Sequence, residues 1–146
     1  MNSPQIRIVL ASHGEQSKGM LNTVQMLLGE QQNITAYCLY PEQSVVDFTE
    51  VLQGEINEHG AENIVFMTEL RGGSPFNTVV SLTREQEVYH VTGTNLAMLI
   101  GAIMERYDAN ATAESVCDAA IKAAADSIVD VRRMLAESIG EEEEDL

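Results

Sequence analysis

Short runs rich in β-branched residues alternate with amphipathic spans along most of the chain, and this constrains the fold more than any other feature. Residues 6–12 (IRIVLAS), 34–40 (ITAYCLY), 63–69 (NIVFMTE) and 87–91 (EVYHV) read as strands. The first three are nearly continuous apolar runs, as strands buried on both faces are. Between them lie helical patterns. Met20, Leu21, Val24, Leu27 and Leu28 recur at helical spacing over residues 17–28, and Gly29 stands where a helix stops. Ser44 predicts the cap of a second helix, with an apolar stripe of Val45, Phe48, Val51, Leu52 and Ile56. Ser74 predicts the cap of a third, Pro75 its first position, and residues 76–83 its body. Residues 96–106 form a fourth helix, and a long Ala-rich helix runs from Asn110 or Thr112 to about Val131. Strict alternation predicts an α/β fold: a doubly wound, mostly parallel sheet with four parallel strands in the order 2-1-3-4 and helices on both faces. Four parallel strands leave an open edge. Residues 128–131 (IVDV) are β-branched enough for a fifth, antiparallel strand, against the competing expectation of one helix continuing to Leu135.

Charge excludes function classes. The 146 residues carry 8 Lys+Arg against 23 Asp+Glu, a formal net of −15. Such a field repels nucleic acid and anionic membrane surfaces. Residues 1–135 read as one domain and residues 136–146 as a solvated, disordered acidic tail. No apolar run approaches a membrane span, and Met1–Gln5 has no basic leader, so a cytoplasmic protein without membrane insertion is expected. The two cysteines, Cys38 and Cys117, have no partner spacing and read as reduced thiols; no metal or cofactor site is indicated.

Two motifs land on the carboxyl edge of the predicted sheet. The first strand ends at Ser12-His13-Gly14, and the third at Glu69, followed by Leu70-Arg71-Gly72-Gly73-Ser74-Pro75-Phe76-Asn77. Alone, a His-Gly pair is an ordinary turn and a GGSP run an ordinary helix start. In the 2-1-3-4 order they face each other across the switch-point crevice, where ligands bind in such sheets. His13 supplies a nucleophilic imidazole, and Glu69 can hold the proton on Nδ1 so that Nε2 keeps its lone pair. Gly72, Gly73 and Ser74 lead into a helix N-terminus, which favours a phosphate group. The set fits a phosphohistidine intermediate. Arg71 and Lys18 are the cations expected near this edge, Arg71 as an auxiliary phosphate or partner contact or simply solvated. His59 reads as a helix-end residue and His90 as a strand residue.

At these residues the sequence resembles the IIA component of the mannose-type sugar phosphotransferase system. Four motifs carry the resemblance: S-H-G closing the first strand, MLLGE at residues 26–30, GGSPFN at residues 72–77, and V-x-G-x-N-x-x-M-L at residues 91–99. The resemblance implies a phosphocarrier, a transferase of the phosphotransferase system. In it the phosphocarrier protein HPr phosphorylates His13 on Nε2, and the phosphoryl group passes to a IIB domain and on to a sugar at the IIC/IID membrane complex. It implies that Glu69 stands where the family has Asp, that Ser74 lies on the phosphate side, and that the protein is a homodimer exchanging its last strand. Arg71 stands where an aromatic residue is common. A regulatory or binding domain that receives phosphate as a signal is the alternative expectation.

Overall fold

The structure, a computed structural model, describes residues 4–144. Met1–Ser3 and the last two tail residues, Asp145 and Leu146, lie outside the described residues. The expected strands form as β1 (Arg7–His13), β2 (Ile34–Leu39), β3 (Ile64–Thr68) and β4 (Tyr89–Thr92). The helices are α1 (Gln16–Leu28), α2 (Val45–His59), α3 (Ser74–Leu82), α4 (Leu96–Glu105), α5 (Ala113–Ser127) and α6 (Val131–Glu144). All pairings are parallel, in the order β2-β1-β3-β4.

Alternate residues of the central strands feed two cores. Ile8, Leu10, Val65 and Met67 pack with Val24, Leu99, Ile103 and Val116 on one face. Val9, Ala11, Ile64 and Phe66 pack with Leu52, Ile56, Val79 and Leu82 on the other. Burying each large side chain contributes on the order of 1.5–3 kcal/mol, so β1 and β3 form a rigid spine. The register pairs Ala11 with Thr68 and His13 with Leu39. His13 and the residue following Thr68 therefore leave the sheet at the same edge.

A buried ionic cluster locks the opposite end of the sheet. The Arg7 guanidinium donates to both Glu55 carboxylate oxygens and to Asn33 Oδ1 (3.0 Å), and Tyr37 donates its phenol to Glu55. Burial pushes the Glu55 carboxyl up, but the hydrogen bonds from Arg7 and Tyr37 and the Arg7 charge outweigh it and leave it below the ordinary carboxylate range. Burial, then the bond to Glu55, pushes the Tyr37 phenol up to about 12.

The C-terminal expectations are corrected. Thr112 caps α5 in a reciprocal arrangement with Ser115, and α5 ends at Ser127 rather than near Val131. Residues 128–130 form neither a strand nor a helix. Ile128 is extended (φ −89°, ψ 101°), but a strand needs a ladder partner, and none reaches it within the described residues of the single chain. The tail, expected to be disordered, is helical through Glu144 in α6 and exposed along its whole length. Met134, Leu135, Ala136 and its many glutamates are good helix formers, which lets the helix propagate.

Candidate active site

His13 is the last residue of β1, and the turn that follows is held tightly. The Ser12 hydroxyl, fully buried, accepts from the Ser17 N–H at 2.8 Å, and the Gly14 N–H donates to the Leu39 carbonyl at 2.8 Å. Ser12 thus satisfies a first-turn amide of α1 from the preceding strand, because Glu15 at the N-cap position makes no side-chain cap. The S-H-G motif fixes where His13 stands as well as supplying its ring.

Glu69 reaches His13 with both carboxylate oxygens. One accepts the His13 backbone N–H at 2.7 Å, and the other lies 3.2 Å from Nδ1 of the ring. The Glu69 side chain is 16% exposed and that of His13 47%. The carboxylate thus sits behind the imidazole while the far side of the ring opens to solvent. A carboxylate accepts only, so the contact puts the proton on Nδ1 and leaves the Nε2 lone pair free.

The loop on the Nε2 side is pressed against the ring. A Cβ added to Gly73 would stand 2.7 Å from His13 Cε1 and 3.5 Å from Nε2. Gly73, not Ser74, takes the N-cap position of α3, and its N–H donates to the Leu70 carbonyl at 3.1 Å. Of Gly72, Gly73 and Ser74, Gly73 therefore offers no amide. Ser74 and Phe76 hold first-turn N–H groups without an intrahelical acceptor, and Pro75 has no N–H. The Ser74 hydroxyl has no hydrogen-bond partner among the described residues, and Asn77 Nδ2 steadies the loop through the Gly72 carbonyl at 3.1 Å. Arg71 is exposed on this loop and Lys18 on α1, neither in an ion pair among the described residues. His59 ends α2 beside Glu55 and Glu58, and His90 lies in β4. Among the described residues no cluster of three or more His, Cys, Asp or Glu side chains is placed to hold a metal ion, and no helix is long and apolar enough to cross a membrane.

A sequence model of the EIIA-man family, described as the phosphotransferase system (PTS) fructose IIA component, matches residues 7–121. The chain belongs to the EIIA-man family. The matched stretch holds all four strands and both loops of the site. Among relatives, the mannose-specific EIIAB component of the PTS of Escherichia coli K12 is 31% identical over 105 residues, covering 70% of this chain and 32% of that protein. The chain thus spans about a third of the length of the EIIAB relatives it matches. The sorbose-specific EIIA component of Klebsiella pneumoniae is 24% identical over 107 residues, covering 73% of this chain and 78% of that protein. The crystal structure of the phosphotransferase system component EIIA from Streptococcus agalactiae superposes with a TM-score of 0.80 at 27% identity, covering 88% of this chain and 98% of that one. The EIIA-man fold is the doubly wound sheet described above.

Sequence reasoning anticipated the pairing of His13 with Glu69 but missed three contributors. Ser12 caps α1 from outside the helix, which its place before His-Gly could have suggested. The Gly73 amide is consumed within its own loop, a matter of turn geometry. Thr68, His90, Thr92 and Thr94 form a hydrogen-bonded belt next to Glu69, which Thr92 at the end of the last strand and Thr94 just beyond it only hint at.

Proposed function

We propose that this EIIA-man protein is a phosphocarrier of sugar uptake that accepts a phosphoryl group on His13 Nε2 from phospho-HPr and hands it to a IIB domain. The observation that carries this reading is the double contact of Glu69 with the His13 backbone and Nδ1, which holds the ring with Nε2 turned toward the Gly73 loop. In the forward step the Nε2 lone pair attacks phosphorus, an Nε2–P bond forms, and the P–N bond of the donor phosphohistidine breaks, its electron pair returning to the donor ring. The proton on Nδ1 stays where it is. Glu69 stabilises the positive ring that results. The phosphoryl oxygens meet the Ser74 and Phe76 amides, the Ser74 hydroxyl and the positive end of α3. In a chain of net −15, these dipoles, with Arg71 and Lys18 at the rim, offset a dianion's repulsion. The second transfer reverses the chemistry, with a nucleophile of the IIB domain attacking the same phosphorus. The protein acts in the cytoplasm and reaches the IIC/IID membrane complex only through IIB.

We also propose a homodimer built through residues 128–131. Ile128, Val129 and Val131 are 76%, 53% and 55% exposed beyond α5, and β4 ends the sheet with one edge unpaired. Strand exchange would cover both.

Incubation with enzyme I, HPr and phosphoenolpyruvate, followed by mass measurement and site mapping, tests the phosphocarrier. One phosphoryl group on His13, lost in His13→Ala and passed rapidly to a IIB domain, is expected. Label surviving in His13→Ala would overturn the site, and label that no IIB domain accepts would favour a signalling role.

A further inference from the structure

The polar belt next to Glu69 is built from residues far apart in the chain. On the α2/α3 face of the sheet, Phe66 is in register with His90 and Thr68 with Thr92. Thr68 is fully buried and immediately precedes Glu69. Its carbonyl accepts three hydrogen bonds: from the Thr94 N–H at 3.1 Å, the Thr94 hydroxyl at 2.7 Å and the Thr92 hydroxyl at 3.1 Å. Its own hydroxyl donates to Thr92 Oγ1 at 2.9 Å and lies 2.8 Å from His90 Nε2. Each hydroxyl has one proton. The assignment that uses every contact therefore has His90 Nε2–H donating to Thr68 Oγ1, Thr68 donating to Thr92, and Thr92 donating back to the Thr68 carbonyl. Burial keeps this histidine uncharged, pushing it down to about 4. The same ring packs against Phe76, two residues past Ser74, with centroids 5.2 Å apart and planes tilted by 45°.

We propose that His90 is a positioning residue for the phosphoryl site, joining the strand end that carries Glu69 to the loop that faces His13 Nε2. It touches neither the phosphoryl group nor His13. Through Thr68 it restrains the peptide from which the Glu69 side chain springs, and through Phe76 it restrains the first turn of α3. Both walls of the site are then referenced to one side chain. This rests on the His13–Glu69 reading above.

The test uses the unphosphorylated chain and needs no knowledge of the phosphoryl donor. Nitrogen-15 NMR of the His13 ring reads the ratio of its Nδ1–H and Nε2–H forms, which the Glu69 contact sets. His90→Phe keeps a ring against Phe76 but removes the bond to Thr68. Thr68→Val removes the other partner in nearly the same volume. Each is expected to move the His13 ratio toward Nε2–H by about threefold and to slow phosphoryl transfer about fivefold. The double variant should be no worse than Thr68→Val alone, because that change already removes the His90 bond together with the bond from Thr68 to Thr92. His90→Gln, whose amide nitrogen stands the same number of bonds from Cα but which gives up the ring against Phe76, should recover the His13 ratio to within about twofold. A general loss of packing would not show this rescue. If His90→Phe fails to fold, Thr68→Val and His90→Gln carry the comparison. A wild-type His13 ratio in His90→Phe or Thr68→Val overturns the proposal, as do single effects that multiply in the double. Failure of the site reading is distinguishable: it appears as label surviving in His13→Ala, while the ratio measurement still decides the role of His90.

Discussion

Replacing Gly73 by Ala should separate the chemistry of the site from the stability of the fold. The Gly73 backbone has φ −74° and ψ 170°, a conformation open to any residue, so the substitution adds no backbone strain. Exchanging Gly for Ala at an N-cap costs about 0.5–1 kcal/mol, or a few degrees in Tm. The site is affected far more. The new methyl would stand 2.7 Å from His13 Cε1, whereas carbon atoms rest about 3.5–4.0 Å apart, so the ring must retreat by about 1 Å. The 3.2 Å contact between Nδ1 and Glu69 has no slack for that, and the methyl also intrudes on the space beside Nε2. A misplacement of about 1 Å costs about 10²-fold in rate, so phosphoryl uptake should fall by about that factor while the protein stays folded. Rapid-quench phosphorylation from phospho-HPr, run beside thermal melts, measures both. Gly29→Ala is the control: at φ +86° its Cβ meets nothing within 4 Å, and it should lose about 1 kcal/mol of stability without touching the rate. Transfer by Gly73→Ala within about threefold of wild type would refute the claim that the loop presses on a ring held in place.

Glu69→Gln keeps the size of the side chain but offers one acceptor where two are used, so either the His13 N–H or Nδ1–H loses its partner; transfer should slow by about tenfold or more, and an unchanged rate in rapid-quench assays would remove Glu69 from the mechanism. Stability should depend on pH at both ends. The lowered Glu55 carboxyl contributes stability that is present above its ordinary value of 4.5 and is lost as pH falls through the lower folded value, whereas the raised Tyr37 phenol contributes stability present below pH 10 and lost between 10 and about 12. Denaturant unfolding of Tyr37→Phe should lack that alkaline loss, and an unaltered alkaline limb would contradict the assignment. A truncation that ends before Ile128 should give monomers or insoluble protein by light scattering, and one that ends after Gly140 should leave a dimer; a dimer that survives the first truncation would refute exchange of this segment.

The elements of the fold were legible because their determinants are local. The apolar period over residues 17–28, the Ser44 cap and the continuous Val/Ile runs act within a few residues, and each has its element in the structure, although Leu27 of that period stands exposed on α1. Alternation and crossover handedness pointed to a doubly wound sheet, and in its 2-1-3-4 order, which the structure has, His13 and Glu69 meet at one edge. Helix boundaries were less legible. The first turn of α3 begins one residue earlier than Ser74 predicts, because Gly73 already accepts the Asn77 N–H and its own amide closes on Leu70. Helix propensity and β-branching compete over residues 128–131, and local pattern alone could not anticipate an extended link between two helices.

The chain by itself determined which groups meet: an imidazole, a carboxylate and a glycine loop at the switch point of a parallel sheet. Tertiary structure decided how they meet. That both Glu69 oxygens are engaged depends on the distance between two strand ends, set by packing on both faces of β1 and β3. That His90 reaches Thr68, 22 positions away, depends on the β3–β4 register, since a shift of one residue would turn the ring to the other face. Local propensities act over a few residues, whereas a hydrogen bond is won or lost over tenths of an ångström, and only the assembled core holds distant residues to that tolerance.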